Sequence, residues 1–228
     1  STGNKEYTAN WTADTNIPYL IKHWTQNLNG NASSKDENNY TLADTELLEG
    51  ITGDKITPAT KTYEGFVSPK TETLTITADG NAVLNYYYTR RTDLKCTINY
   101  IDKDTKEIIE TKMLENQTFE SEIDVNGEIK DIENYNYDSI EAETIKIGAG
   151  ENIINIYYVK KEGKVIVHHY IYDEKEDKAT TQKLVEDDEI TGKIGENYSS
   201  KKSDAVPANY ICTNEQPEGY TGKIAKDT

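Results

Sequence analysis

The chain is poor in the residues that build ordinary globular cores. Its 228 residues include 1 Met, 2 Phe, 2 Trp, 2 Cys and 5 Pro. Positive charge is also short: Lys and Arg number 25 against 41 Asp and Glu, a net charge of -16. An acidic surface of this size repels a phosphate backbone and argues against a nucleic-acid partner. No run of about 18 apolar residues occurs, so no segment reads as a membrane-spanning helix. No Cys or His spacing suits zinc. Gly-x-Ser-x-Gly, His-Glu-x-x-His and P-loop sequences are missing, so the chain reads as a non-enzyme without a cofactor. It opens at Ser1 with no basic and apolar leader, and reads as a fragment or a mature segment.

What is present is strand chemistry. Tyr reaches 17 residues, and Tyr, Thr, Ile and Val fill the apolar stretches, as in sheets. Their regular alternation argues against disorder. Cys96 stands in phase with Leu94, Ile98 and Tyr100, on the apolar face of a strand. Cys212 falls in a different repeat, and two buried thiols fit better than a disulfide between them.

Internal repetition is the strongest signal. Val83-Leu84-Asn85-Tyr86-Tyr87-Tyr88 matches Ile153-Ile154-Asn155-Ile156-Tyr157-Tyr158. A short charged joint follows each, then another apolar strand: Cys96–Ile101 after the first and Val165–Tyr172 after the second. The equivalent opening strand of the first unit is Tyr19-Leu20-Ile21-Lys22-His23-Trp24. The units are 19–90, 91–160 and 161–228, preceded by residues 1–18. Gly50-Ile51-Thr52-Gly53 and Gly192-Lys193-Ile194-Gly195 read as a turn leaving a strand, which the second unit lacks. Each unit predicts four or five short strands and at most one short helix, near 57–61, 121–130 and 199–205. In the closing strands Leu84, Tyr86 and Tyr88, and Ile154, Ile156 and Tyr158, alternate with the wetter Asn85 and Asn155 positions and should face the core. Gly148-Ala149-Gly150 reads as a hairpin turn.

At these residues the chain resembles two related kinds of Gram-positive surface module. The first unit resembles an internalin-type B-repeat, through Tyr19-Leu-Ile-Lys-His-Trp24, Lys61-Thr-Tyr-Glu-Gly-Phe66 and Ala78-Asp-Gly80 running into Asn85-Tyr-Tyr-Tyr88. The second and third resemble MucBP (mucin-binding protein) repeats, through Cys96-Thr-Ile-Asn-Tyr-Ile-Asp102, Val165-Ile-Val-His168 and Ile190-Thr-Gly-Lys-Ile-Gly-Glu-Asn-Tyr198. The resemblance implies a mostly β, or α+β, fold: three tandem ubiquitin-like β-grasp modules in an elongated rod. In that fold the first and last strands of a module lie side by side and parallel. The third unit stops at Lys223-Ile-Ala-Lys-Asp-Thr228, where its closing strand should follow. Conversely, Glu6-Tyr7-Thr8-Ala9-Asn10-Trp11-Thr12-Ala13 resembles the closing strand of a preceding repeat. That strand is expected to dock on the first unit, or head-to-tail in the open sheet edge of the third unit of a neighbouring chain. Residues 1–15 packed against nothing would count against it.

Few residues carry chemistry. Tyr87, Tyr157 and Tyr170 are the candidate ligand-binding aromatics, since sugars are gripped by aromatic faces with polar edges. The competing reading is that they cover the second face of a sheet or pack at module joints. His168 and His169 are adjacent on a strand, point to opposite faces and do not share a metal. Asp102-Lys103-Asp104 and Asp173–Asp177 offer oxygen ligands of the kind Ca²⁺ takes. Neither matches a full calcium loop, so both read as solvated hairpin turns. The resemblance implies an extracellular adhesin on a bacterial cell wall, with host glycoprotein, mucin included, as partner. The other readings are a structural stalk without ligand, capture of host protein such as immunoglobulin by sheet-edge addition, and an accessory region of a glycan-degrading enzyme.

Overall fold

The computed structural model describes residues 3–213 and 218–226; the expected end of the third unit at Asp227 and Thr228 lies outside them. Strands dominate, and no α-helix occurs among the described residues.

The first sheet uses β1 (Ile17–Gln26), β2 (Tyr40–Gly50), β4 (Phe66–Val67) and β6 (Ala82–Arg90), in the order β2-β1-β6-β4. Beside it, β3 (Lys55–Ile56) and β5 (Leu74–Thr75) form a small antiparallel ribbon. The alternation Ile17, Tyr19, Ile21, His23 on β1 and Ala82, Leu84, Tyr86, Tyr88 on β6 buries one face of each strand. The two strands run parallel, with Ile21 opposite Leu84 and Trp24 opposite Tyr87. Ile76, Tyr63, Phe66 and Leu74 pack on this face.

The second sheet uses β7 (Leu94–Asp102), β8 (Ile108–Gln117), β10 (Tyr135–Ile140) and β12 (Ile153–Lys160), in the order β10-β12-β7-β8. Its ribbon is β9 (Glu122–Asp124) with β11 (Thr144–Lys146). Here too the opening and closing strands are parallel neighbours: Thr97 donates to Asn152 and Lys103 to Tyr158, both at 2.8 Å. Leu94, Cys96, Ile98, Tyr100, Ile154, Ile156 and Tyr158 are buried, as the phase of the sequence requires.

The C-terminal strands are β13 (Glu162–Val167) with β16 (Asp188–Lys193), β14 (Tyr170–Asp173) with β15 (Lys178–Lys183), and the ribbon β17 (Asn197–Ser199) with β18 (Thr221–Lys223). The expected single strand 165–172 is therefore broken at His168-His169. It changes partner there, and each histidine meets one acid: His168 Nδ1 lies 3.0 Å from Asp187 and His169 Nε2 3.1 Å from Asp188.

One backbone device recurs three times. Gly53 donates to Ile76 O at 2.9 Å and Ile76 donates back to Asp54 O. Glu120 with Ile147 and Ser121, and Gly195 with Ile224 and Glu196, repeat the pair. Ile76, Ile147 and Ile224 are all buried. The residue donating first sits at positive φ: Gly53 at 88°, Glu120 at 65° and Gly195 at 88°. The turn expected to be missing from the second unit is thus present. A search for glycine overlooks it because a glutamate takes the left-handed conformation.

Other expectations are corrected. Of the three short helices, one exists only as a 3-10 turn at Asn126–Glu128, and the other two do not form. Tyrosines from the closing strands hold the first two of these segments instead. Tyr86 OH donates to Pro58 O at 2.6 Å, and Tyr158 OH donates to Lys130 O at 2.7 Å. A helix would need those carbonyls for its own ladder. Gly148–Gly150 is a bend and not a hairpin turn, since β11 pairs with β9 and not with β12; the Asn152 side chain accepts the Gly148 amide at 2.7 Å. Cys96 is fully buried but Cys212 is exposed, so the two are not a pair of core thiols. Residues 3–13 carry no element and are exposed, so this segment does not dock on the first unit. Its first backbone contact is at Asp14, whose carbonyl accepts from Thr52 at 3.0 Å.

By contact density the chain divides into residues 1–98, 112–124 and 144–154, and residues 99–111, 125–143 and 155–228. Within the first of these, the joint after β6 is tightly built. The Arg90 guanidinium lies 5.1 Å from the Phe66 ring and 5.8 Å from the Phe119 ring, and donates to Glu120 Oε2 at 2.6 Å. Gly65, at φ 77°, leaves the room: a Cβ there would come within 2.4 Å of the Phe119 ring.

Candidate functional site

The most developed polar-aromatic surface is the second face of the first sheet. Parallel pairing sets Trp24 beside Tyr87, and their rings stack at 6.2 Å with 18° between planes. The indole Nε1 donates to Asn85 Oδ1 at 2.9 Å, one strand position before Tyr86. Tyr40, at the start of β2, meets Tyr87 edge-on at 4.9 Å. The Lys35 ammonium lies 4.8 Å from the Tyr40 ring and 5.0 Å from the Tyr87 ring. It donates to Tyr40 OH at 3.0 Å and Ala32 O at 2.8 Å.

The Asn-rich stretch 27–39 holds Lys35 there. Asn39 Oδ1 accepts from Asn31 N at 2.6 Å, Asn31 Oδ1 from Ser33 N at 2.9 Å, and Asp36 Oδ1 from Asn38 N at 2.9 Å. These side chains supply the turn's backbone partners, as Asn and Asp do in tight loops. Aromatic faces, an ammonium and amide edges on a fixed frame are what a sugar ring and its hydroxyls require.

The MucBP domain profile matches residues 35–89 and again 95–159, together more than half of the chain. The chain belongs to the MucBP family. No curated protein matches this MucBP chain. Among solved structures, the shaft pilin spaA from Lactobacillus rhamnosus GG aligns at 11% identity and TM-score 0.24, over 63% of this chain and 98% of the pilin. A point mutant of that pilin aligns with the same figures. This chain carries two matched copies of the MucBP domain in tandem.

Tyr87 falls in the first MucBP match and Tyr157 in the second, while Tyr170 lies outside both. The structure does not join the three in one site, since each belongs to a different sheet. Tyr87 is half-buried among Trp24, Tyr40 and Lys35, so it covers the sheet's second face. Tyr157 is half-buried with the Lys106 ammonium 6.0 Å from its ring. Tyr170 is exposed and stacks on His168 at 5.7 Å. Trp24, Asn85, Tyr40 and Lys35 are not among the ligand-binding candidates that the sequence offers. The period-2 phase of β1 and β6 together would have found Trp24 and Asn85; Lys35 comes from a loop with no periodic signal.

A second polar cluster lies on the core face, around the histidine of β1. His23 is fully buried. Tyr88 OH accepts the Lys61 amide at 2.7 Å, so its own hydrogen is directed to His23 Nδ1 at 2.8 Å. Nε2 then carries the ring proton and donates to Glu46 Oε1 at 2.7 Å. That hydrogen bond is the main reason the Glu46 carboxyl is held below its usual range. Lys61 pairs with Asp44 and lies 3.3 Å from Glu46. Asp44 is pushed down and Lys61 up, chiefly by their mutual hydrogen bond, so both stay charged. The cluster fastens β2 and the 57–61 segment to the MucBP core.

The two acidic turns differ. Asp102 is buried: Oδ1 accepts from Asp104 N at 2.9 Å and Thr105 N at 3.1 Å, and Oδ2 accepts from Tyr135 OH at 3.1 Å. Burial opposes its ionisation, yet these donors hold its carboxyl below the usual range. Burial and the bond to Asp102 push the Tyr135 hydroxyl up to about 12. This carboxylate is a lock within the hairpin and not a solvated turn residue. Asp173 Oδ1 accepts from Lys175 N at 2.8 Å in an exposed turn.

Proposed function

We propose that this chain is the repeat region of a Gram-positive surface adhesin, built of modules 19–90, 91–160 and 161–228 after a leading segment 1–18, and that its modules engage host glycoprotein, mucin included. The observation that carries the reading is the tandem of MucBP matches at 35–89 and 95–159. The Trp24–Tyr87–Lys35 face supports it, as a half-buried aromatic stack edged by an amide and an ammonium suits a sugar ring. Nothing in this reading uses catalysis, and the setting it implies is the outside of the cell wall.

The test is binding of the 228-residue chain to immobilised mucin before and after enzymatic deglycosylation. Saturable binding lost on deglycosylation, and weakened by Trp24→Ala, is expected. Binding that survives deglycosylation would point to host-protein capture instead. No binding would favour a second reading, a spacer stalk. The Arg90–Phe66–Phe119–Glu120 joint favours that reading independently, since it stiffens the passage from one sheet to the next strand.

A further inference from the structure

The first two sheets share one backbone frame beside the ends of their closing strands. Gly65, at φ 77°, and Asn134, at φ 64°, each lead into a short outer strand, β4 or β10. Phe66 N donates to Tyr63 O and Tyr135 N to Ile132 O, both at 3.1 Å. Arg91 N donates to Gly65 O at 2.9 Å, and Lys161 N to Asn134 O at 2.8 Å. The Lys61 and Lys130 amides each reach a closing tyrosine, Tyr88 at 2.7 Å and Tyr158 at 3.1 Å. Phe66 pairs with Arg90, and Tyr135 with Lys160. Residues 61–68 and 130–137 therefore correspond one to one.

Three differences change what this frame can hold. In the first sheet Tyr63 lies edge-on against Tyr88 at 4.7 Å, and Ser68 Oγ donates to Lys61 O at 2.9 Å. In the second, Ile132 stands in the place of Tyr63 and Tyr137 in that of Ser68. The shorter aliphatic side chain leaves a groove of about 400 Å³, lined by Asp131, Ile132, Asn136, Tyr137, Tyr158 and Lys161 among others. The Tyr137 ring is 43% exposed and stands at 77° to the Tyr158 ring, 6.0 Å away. The third difference is charge. Arg91 is engaged by Asp93 through two bonds of 2.9 Å. Among the described residues no acid pairs with its counterpart Lys161, and no hydrogen bond takes up the side chains of Asp131 and Asn136.

We propose that the groove beside β10 binds an uncharged sugar, with Tyr137 as the aromatic platform and Lys161, Asp131 and Asn136 at its polar edge. A pyranose offers a C–H face to a ring and its hydroxyls to donors and acceptors. Lys161 donates, Asp131 accepts and Asn136 does both, so neighbouring hydroxyls of one ring are met in both senses. A carboxylated or sulfated sugar would gain the Lys161 ammonium but would face Asp131, in a chain of net charge -16. The volume lies toward the small end of ligand pockets and suits one or two sugar units. The class of ligand rests on the reading of these modules as glycan binders, and the place rests on the groove alone.

An NMR titration of the isotope-labelled full chain with N-acetyllactosamine tests it, with sialyl-lactose as the charged comparison. Saturable amide shifts are expected at 130–137 and 158–161. Ile132→Tyr gives the groove the first sheet's side chain and should abolish them. Tyr137→Ser, at an exposed position, should keep the melting temperature and bind at least ~10-fold more weakly. Trp24→Ala lies outside the groove and should leave the titration unchanged. The proposal is overturned if no shifts appear at the groove, if sialyl-lactose binds more tightly, or if Tyr137→Ser binds like the unaltered chain. Mucin binding without shifts at the groove would sink this site and leave the adhesin reading standing. Shifts at the groove without mucin binding would do the reverse.

Discussion

In the first sheet the opening strand β1 has β2 on one edge and β6 on the other, and Ile21 and His23 are sealed from solvent. In the C-terminal strands, among the described residues, β13 pairs with β16 alone, and Val165 and Val167 stay half-buried. In the first sheet that second edge is the closing strand β6. That strand contributes a second row of side chains and, through its tyrosine hydroxyls, the hydrogen bonds that hold a helix-free segment of some five residues. Small modules of this kind have little apolar surface to spare, and one strand decides whether the rest is a core or a surface.

The largest break in that comparison should come from Tyr86→Ala. Tyr86 is 1% exposed, and its hydroxyl donates to Pro58 O. Losing the ring and the bond should cost about 3–5 kcal/mol in chemical denaturation and speed exchange of β1 amides toward that of β13. If the β1 amides stay as slow as before, the closing strand is not what seals the first sheet.

The three positive-φ turns give a finer comparison. Glu120 holds at φ 65° the place of Gly53 and Gly195, and its carboxylate contacts Arg90 and Lys146. Glu120→Ala loses both partners and keeps the strained backbone, while Glu120→Gly loses the partners and relieves it. Glu120→Gly should therefore be the more stable of the two by about 1 kcal/mol, measured by thermal melting. Equal melting points would mean that the backbone there is not strained.

Acid should act on the second sheet through Asp102. Its carboxyl is held below the usual range in the fold, so its contribution is present above the unfolded value. That contribution is lost as pH falls through the folded one, below about pH 4. Melting temperature should drop over that window, and Asp102→Asn should flatten the part due to this residue. An unchanged slope in the variant would remove Asp102 from the account. The smallest effect is expected at Lys35, exposed and in a loop: Lys35→Met should lower stability by under ~1 kcal/mol. It should weaken mucin binding if the aromatic face is the contact.

Much of the fold was legible because strands announce themselves by period two. Leu84, Tyr86 and Tyr88, and Ile154, Ile156 and Tyr158, are buried as their phase dictates. The parallel neighbours β1 and β6 followed from the resemblance and are present. The absent helices were misread because loop segments anchored by a distant tyrosine carry no local pattern of their own. The Glu120 turn was hidden because left-handed backbone is read through glycine. Of the candidate aromatics, Tyr87 is in a built surface, but its neighbours Tyr40 and Lys35 depend on the path of a loop, which side-chain hydrogen bonds set and alternation does not reveal.

The parallel setting of β1 and β6 has a mechanical consequence. Their paired residues run from Tyr19 with Ala82 to Thr25 with Tyr88, so the chain enters at one end of the ladder and leaves at the other. A pull applied where the chain enters and leaves drives the two strands past each other lengthwise, and the rungs share the load in shear. An antiparallel pair pulled at adjacent ends would open one rung at a time. The sheet therefore resists tension along the polypeptide through its backbone ladder.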